Sequence, residues 1–503
     1  MKICFLLQRN YALVGHALAC WLKEKYGVNE FCAYTGLRRI HEFLKSQTAL
    51  HYHTLLLDED VHARYKDEKL DLGYLQWLER ELGIPNLWPY LALDREIMFN
   101  QAEREYPYNT PKYSHEEMLR ILQVTAKAVI SFLDSEKPNA LVFSAVGNVP
   151  GLLLYTLAKK RDIKVLCILT APLRDKVVLS ESYDAFSGVE ELYKRNLARG
   201  QKSSRYVEAR KMIEDFRKSP HPYDPKRSVT EQPVSRGKQL RFLLPRDLLR
   251  SFSWFVRLVS EYGLGTTRRD YTTVSPWNYL KDHLKRKARN LIGVGDLYDN
   301  FDQNEDYAYF ALHYEPEITL LLLAPFATNQ IEIARQAALA LPIGWKLYIK
   351  DHPEMVHYRP RSYYIELKKI PNVRLINPTI DGLTVTANAK LIFTVTGSAA
   401  WEGLLLKKPA IVFGNQFYNG LSMIKVCKDR EQLPFLVKRQ LEQFQYNEEE
   451  LLQFTAAILE DTTTLPFIYL WEQETNADRK KQGLEPLADL LASKLNLHAT
   501  NAL

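Results

Sequence analysis

The 503-residue chain has little cysteine, and the pattern of what it has excludes several classes. Its five cysteines, Cys4, Cys20, Cys32, Cys167 and Cys427, include no Cys-x-x-Cys pair, and an odd count closes no disulfide framework. All lie in apolar segments, which predicts reduced, buried thiols and a cytoplasmic protein. No apolar run reaches the length of a transmembrane helix. Lys2 and Ile3-Cys-Phe-Leu-Leu7 start as a signal peptide would, but Gln8, Arg9, Asn10 and His16 break the apolar core, so none is expected. There is no Gly-x-Gly-x-x-Gly after a strand and no Walker sequence, which removes support for dinucleotide redox and ATPase chemistry. No His/Cys cluster with ligand spacing occurs, so no metal and no cofactor is expected. A Gly-x-Ser-x-Gly elbow, solenoid repeats and low-complexity segments are absent as well.

What is present is ordinary in composition: 46% hydrophobic and 25% charged residues fit a globular protein of two or three domains. The net charge of +7 is mild for this length and predicts no nucleic-acid partner. Short apolar strands alternate with amphipathic helices at both ends of the chain. Residues 3–8, 31–34, 53–57, 140–144 and 164–169 read as strands of one parallel α/β sheet, and a first Rossmann-like domain is assigned to 1–190. Residues 191–305 differ. They are charged, aromatic and helical, with loops or a linker at Ser219-Pro-His-Pro-Tyr-Asp-Pro225 and Glu231-Gln-Pro233. The stretch from Phe242 to Tyr262 carries Leu, Phe and Trp at helical spacing with Arg246, Arg250 and Arg257 between them, and Lys281 to Arg289 is a basic patch on a helix. A packed helical insertion with a solvated face is the plainer reading; docking to an anionic lipid or polymer is the functional one. From Tyr307 the α/β rhythm returns through strands at 307–312, 347–349, 373–376, 391–395 and 410–413. This second Rossmann-like domain is assigned to 306–465, and 466–503 is read as a helical tail packing back on the first.

Two stretches organise the second domain. Trp345-Lys-Leu-Tyr-Ile-Lys-Asp-His-Pro353 is a buried strand ending in polar residues, and Lys390 to Leu404 runs from a strand into a helix through Thr396-Gly-Ser-Ala399. A strand, a tight turn and a helix N-terminus gather unpaired backbone N–H groups at one point, which favours an anion. Gly397 permits close approach of a phosphate. Ser398 is expected to cap the helix and donate to a phosphate oxygen, the plainer reading being an ordinary N-cap. His352 can donate to a phosphate or sugar oxygen, and Pro353 fixes the loop that carries it. Glu402, one turn beyond Ser398, can hold a ribose hydroxyl or serve as a structural carboxylate. Ligands of open α/β sheets bind beyond the carboxyl ends of the strands, so Leu312-His-Tyr-Glu-Pro-Glu317, Lys350-Asp-His-Pro353 and Thr396-Gly-Ser-Ala399 belong to one candidate pocket.

Together, Phe310-Ala-Leu-His-Tyr-Glu-Pro-Glu317, Leu347-Tyr-Ile-Lys-Asp-His-Pro353, Ile370-Pro-Asn-Val-Arg-Leu-Ile376 and Thr396 to Gly414 resemble the bacterial capsule polysaccharide biosynthesis family, which includes transferases that use CMP-Kdo (Kdo being 3-deoxy-manno-octulosonic acid). The ordered set spans about 105 residues. Lys-Asp-His-Pro stands where Lys-Glu-His-Pro is usual in the family, and Thr-Gly-Ser where Thr-Gly-Thr is common. The resemblance implies a GT-B fold, with two Rossmann-like domains facing across a cleft, a helical insertion and a C-terminal helical crossover. It implies a nucleotide-sugar donor, most simply CMP-Kdo as co-substrate, in the second domain and a polysaccharide or glycolipid acceptor at the first. Carried over by position, His352, Ser398 and their neighbours Lys350, Asp351, Pro353, Thr396, Gly397, Ala399 and Glu402 would hold the donor phosphate, with His313 and Glu317 lining the cleft.

Retaining transfer would need a carboxylate nucleophile and inverting transfer a general base. Asp94, Glu181 and Asp184 are the candidates from the first domain, one of them being expected to act; each has a plainer reading as a surface or salt-bridged carboxylate. A UDP-sugar, CMP-sialic acid or CDP-polyol donor, or a non-catalytic capsule-assembly role, are the alternatives. The expected location is cytoplasmic, with peripheral contact to the inner face of an anionic membrane left open.

Overall fold

The computed structural model describes residues 1–9, 11–104, 106–222, 244–264, 270–466, 469–470 and 473–499. The expected loop residues from Tyr223 to Pro233, and Phe242 at the start of the expected helix, lie outside the described residues.

The chain builds two α/β units. In the first, β1 (Lys2–Leu7), β2 (Glu30–Thr35), β3 (Leu55–Leu57), β4 (Ala140–Phe143) and β5 (Lys164–Thr170) are parallel. Two antiparallel strands extend it, β6 (Lys176–Ser180) and β13 (Thr462–Thr464), giving the order β13-β6-β5-β4-β1-β2-β3. Helices cover both faces, so the central strands are apolar runs rather than alternating ones: Ile3 to Leu7 and Ala140 to Phe143 are buried throughout. The long helix His115–Glu136 begins in a full capping box, Ser114 with Glu117.

The second sheet is all parallel: β7 (Tyr307–Ala311), β8 (Lys346–Lys350), β9 (Val373–Ile376), β10 (Leu391–Thr394), β11 (Ala410–Val412) and β12 (Ile424–Val426), in the order β12-β11-β10-β7-β8-β9. The strand order reverses between β7 and β10, which makes the crevice beyond their carboxyl ends the topological switch point. Beneath the β10–helix connection Trp401 and Tyr418 are almost fully buried; each contributes on the order of 2–3 kcal/mol by leaving water.

The two units form the GT-B arrangement, with the carboxyl ends of their sheets facing a shared cleft. Phe186 of the first stacks on Phe417 of the second at a centroid distance of 4.6 Å. Gly147, after β4, touches Ile318 so closely that a Cβ there would lie 2.4 Å from its Cδ1, so any larger residue would require the Ile318 side chain to move. The helix Glu448–Asp461 carries the chain back to the first unit, where β13 joins the sheet. The helix Glu485–Lys494 then packs on the helix Tyr11–Tyr26, fastened by Lys25 to Glu485 and to Asp489, both at 2.8 Å. The expected crossover is therefore present, and it includes a strand.

The helices Ser187–Ala198 and Tyr206–Lys218 lie against Glu448–Asp461, with Ser203 donating to Glu460 at 2.6 Å and Arg217 pairing with Glu448 at 2.8 Å. The helix Pro276–Ile292 is held to the body through Asp282 and Arg289, and the helix Pro245–Leu264 meets it through Phe255 and Trp277. All five cysteines are buried and unbridged. No helix among the described residues is long and apolar enough to cross a membrane.

Candidate functional site

The loop after β7 and the loop after β10 meet at the switch point. His313 is buried, and its Nε2 accepts the Thr396 backbone N–H at 2.9 Å. That acceptor role assigns the imidazole hydrogen to Nδ1. Burial, with the nearby His352 and Arg359 charges, pushes the His313 pKa down to about 4, against the pull of the Ala311 carbonyl. The ring is thus a neutral acceptor that fixes the Thr-Gly-Ser turn.

Within that turn the Gly397 N–H donates to Thr394 Oγ1 at 2.9 Å, and Tyr418 donates its hydroxyl to the Gly397 carbonyl at 2.7 Å. A Cβ on Gly397 would stand 2.6 Å from Thr394 Oγ1 and 3.4 Å from His313, so the turn has no room for a side chain. Ser398 departs from expectation. It adopts helical angles itself (φ −66°, ψ −17°), so its hydroxyl makes no cap bond; it donates to Glu402 Oε1 at 3.1 Å instead. The helix it precedes, Ala399–Leu405, is only seven residues long.

The Lys-Asp-His-Pro segment divides its work. Asp351 faces inward, where it pairs with Arg359, accepts from Tyr364 and receives the His352 N–H at 2.8 Å. Arg359 is fully buried, and it also binds Glu315 at 3.1 Å and the His313 carbonyl at 2.6 Å. One guanidinium therefore ties the loop after β7 to the loop after β8. Its charge is retained because Asp351 and Glu315 outweigh the cost of burial. Sequence reading did not single out Arg359, which lies in an irregular loop with no periodicity to mark it. His352 accepts the Glu354 N–H on Nδ1 at 3.2 Å, leaving Nε2 as the donor.

His313, Glu317, Lys350, His352 and Pro353 line one cleft of about 450 Å³ with Thr396, Gly397, Ser398, Ala399 and Glu402. Asp381, which caps the helix Gly382–Asn388 and was not anticipated, lines it too, although its Asp-Gly-Leu-Thr sequence carries a visible N-cap signal. Lys350 is largely buried, and no carboxylate pairs with it at salt-bridge distance among the described residues. Burial pushes its pKa down, while Asp381, Asp351 and Glu402 hold it up. Burial raises the Glu402 carboxyl. Such a pocket offers a poorly solvated cation beside donor groups, an arrangement suited to an anion that brings its own charge compensation. Among the described residues, no group of three His, Cys, Asp or Glu side chains is placed to hold a metal ion.

The first unit closes the cleft through Leu169, Thr170, Tyr183, Asp184 and Phe186. Of the three candidate carboxylates, only Asp184 lines it, accepting a hydrogen bond from Ser182. Asp94 is buried elsewhere with both oxygens engaged by backbone: Oδ1 takes the N–H groups of Glu96 (3.0 Å) and Ile97 (3.1 Å), and Oδ2 that of Val149 (3.1 Å). Glu181 is half exposed outside the cleft, 3.6 Å from Lys164.

No protein-family profile matches the chain. A segment of 92 residues is 26% identical to the capsule polysaccharide modification protein LipA of Neisseria meningitidis serogroup B (strain ATCC BAA-335 / MC58), spanning 18% of this chain and 13% of that protein. The chain resembles capsule polysaccharide proteins. Among solved structures it is similar to the Thermosulfurimonas dismutans KpsC beta Kdo 2,7 transferase, at 13% identity and a TM-score of 0.37 over 78% of this chain and 95% of that one. The KpsC beta Kdo 2,4 transferase of the same organism aligns at 15% identity and a TM-score of 0.36, over 64% and 80% of the two chains. The UDP-GlcNAc 2-epimerase of Neisseria meningitidis aligns at 12% identity and a TM-score of 0.27, over 92% and 98%. The fold assignment rests on the strand order and the crossover described above.

Proposed function

We propose that the protein is a glycosyltransferase that moves a sugar from a nucleotide-sugar donor, CMP-Kdo in the simplest case, to a surface polysaccharide or its lipid-linked primer at the cytoplasmic face of the membrane. The observation that carries this reading is the convergence of the three strand-end segments of the second sheet on one cleft, with Asp184 on its opposite wall. The donor phosphate would lie against Lys350, His352 Nε2 and the Thr396-Gly-Ser turn. As the anomeric carbon–oxygen bond breaks, negative charge grows on that phosphate, and donors already in place stabilise the transition state more than the ground state.

Asp184 is the carboxylate proposed for the reacting carbon. In a retaining course it attacks that carbon as CMP leaves, and an acceptor hydroxyl then displaces it, the hydroxyl proton passing to solvent. In an inverting course it takes the acceptor's proton directly. The likeness of a 92-residue segment to a capsule polysaccharide modification protein supports a surface-polysaccharide acceptor.

Incubation of the protein with CMP-Kdo and an acceptor glycan, followed by anomeric NMR of the product, tests the reaction and its stereochemistry together. Thermal stabilisation by CMP but not by UDP is expected, as is activity that survives EDTA. Stabilisation by UDP alone would reject the CMP donor.

A further inference from the structure

The helix Pro245–Leu264 buries none of its residues. It is nevertheless sharply two-sided. Leu248, Leu249, Phe252, Val256 and Val259 form one stripe at helical spacing, and Leu249 and Phe252 are 69% and 67% exposed. Arg246, Arg250 and Arg257 occupy the other side, and no ion-pair partner for them is found among the described residues.

The neighbouring helix Pro276–Ile292 extends this surface. Its inner face is fixed to the body, with Asp282 pairing with Arg104 at 2.8 Å, Asn278 donating to the Ala102 carbonyl at 3.2 Å and Arg289 donating to the Tyr358 carbonyl. Its opposite face shows Trp277, Leu284 and Leu291, seven residues apart and all exposed. Phe255 and Trp277 meet at a centroid distance of 5.4 Å, which joins the two stripes. Between positions 244 and 292 the sequence has ten lysines and arginines against four aspartates and glutamates, and eight of the ten, all but Arg268 and Arg269, are among the described residues.

We propose that this two-helix projection is a membrane-docking surface whose occupant is an anionic lipid bilayer. The apolar stripe enters the acyl boundary, Trp277 sits at the headgroup level, and the arginines on the far side of the helix add to the positive field that draws the surface to anionic lipid. Charge complementarity selects this occupant over a second copy of the chain, because a self-complementary contact would set this basic surface against itself. The inference does not depend on which donor the cleft takes.

The test is co-sedimentation of the full chain with vesicles of phosphatidylcholine alone and with roughly a third phosphatidylglycerol added. Binding is expected only to the anionic vesicles, and it should weaken as salt is raised. The combined substitution Leu249→Ser, Phe252→Ser and Val256→Ser should lower binding at least about tenfold with little change in melting temperature, since these side chains are about half to two-thirds exposed. If that variant does not fold, Trp277→Ser alone should still weaken binding severalfold. Arg246→Gln with Arg250→Gln and Arg257→Gln should weaken binding to the anionic vesicles and make it less sensitive to salt. No binding to anionic vesicles, equal binding to neutral ones, or full binding by the serine variants would overturn the proposal. So would a wild-type dimer in light scattering that the serine variants convert to monomer, which would assign the stripe to a second copy.

Discussion

The Thr396 backbone N–H donates to His313 Nε2 at 2.9 Å, joining the loops after β10 and β7 at the point where the strand order reverses. The bond needs a neutral ring, because a protonated imidazole has no acceptor. His313 is therefore pH-sensitive in a defined direction. Its folded pKa of about 4 lies below the ordinary 6.5, so the unfolded chain takes up a proton that the folded one refuses. Its contribution to stability is complete above about pH 6.5 and is lost as pH falls toward 4, on the order of 2–3 kcal/mol in all. Urea denaturation of wild type and His313→Gln across this range should show a shallower pH slope in the variant.

Arg359 and Lys350 predict opposite behaviour although both are buried cations. Arg359→Met leaves Asp351 and Glu315 without their shared partner and should cost about 3–5 kcal/mol in chemical denaturation. Lys350→Met removes a desolvated, unpaired ammonium and should leave the melting temperature nearly unchanged. The same variant should weaken CMP binding about 10–100-fold in calorimetry, the worth of a charge-assisted contact of about 1.5–3 kcal/mol.

The three carboxylates of the first unit separate by assay. Asp184→Asn is expected to lower kcat by roughly 10²–10⁴-fold while melting as wild type. Asp94→Asn should cost about 1–3 kcal/mol of stability, because an amide cannot accept from three backbone N–H groups through two oxygens. Glu181→Gln should change stability by no more than about 0.5 kcal/mol.

Gly397→Ala forces a methyl group to 2.6 Å from Thr394 Oγ1. It should destabilise by about 1–3 kcal/mol and abolish the thermal shift produced by CMP, since the turn must open to admit it. Differential scanning fluorimetry with and without CMP checks both.

The central strands were legible because burial on both faces turns them into apolar runs, as at Ile3 to Leu7 and Leu391 to Thr394. The edge strands were not. β12 and β13 are three residues each and partly exposed, too short to show an alternating pattern, and β13 pairs with Lys176 to Val178, far away in the sequence. In the site, the polar residues ending adjacent parallel strands share one cleft, Asp351 excepted, because topology alone brings such ends together. Ser398 stands at the N-cap position as expected, but its helical backbone angles turn the hydroxyl to Glu402 instead of to the first N–H groups. The hub role of Arg359 depends on a loop fold that no local pattern encodes.

The return of the chain to its first sheet also bears on the order of synthesis. β6 emerges from the ribosome with one edge bare, and its partner β13 follows only after the whole second unit has been made. The second unit can fold as it emerges, whereas the first stays incomplete until residues beyond 462 arrive. A nascent chain of this protein thus carries an open sheet edge for most of its translation, and chaperone engagement should fall there, on β6 and the bare face of the helix Tyr11–Tyr26.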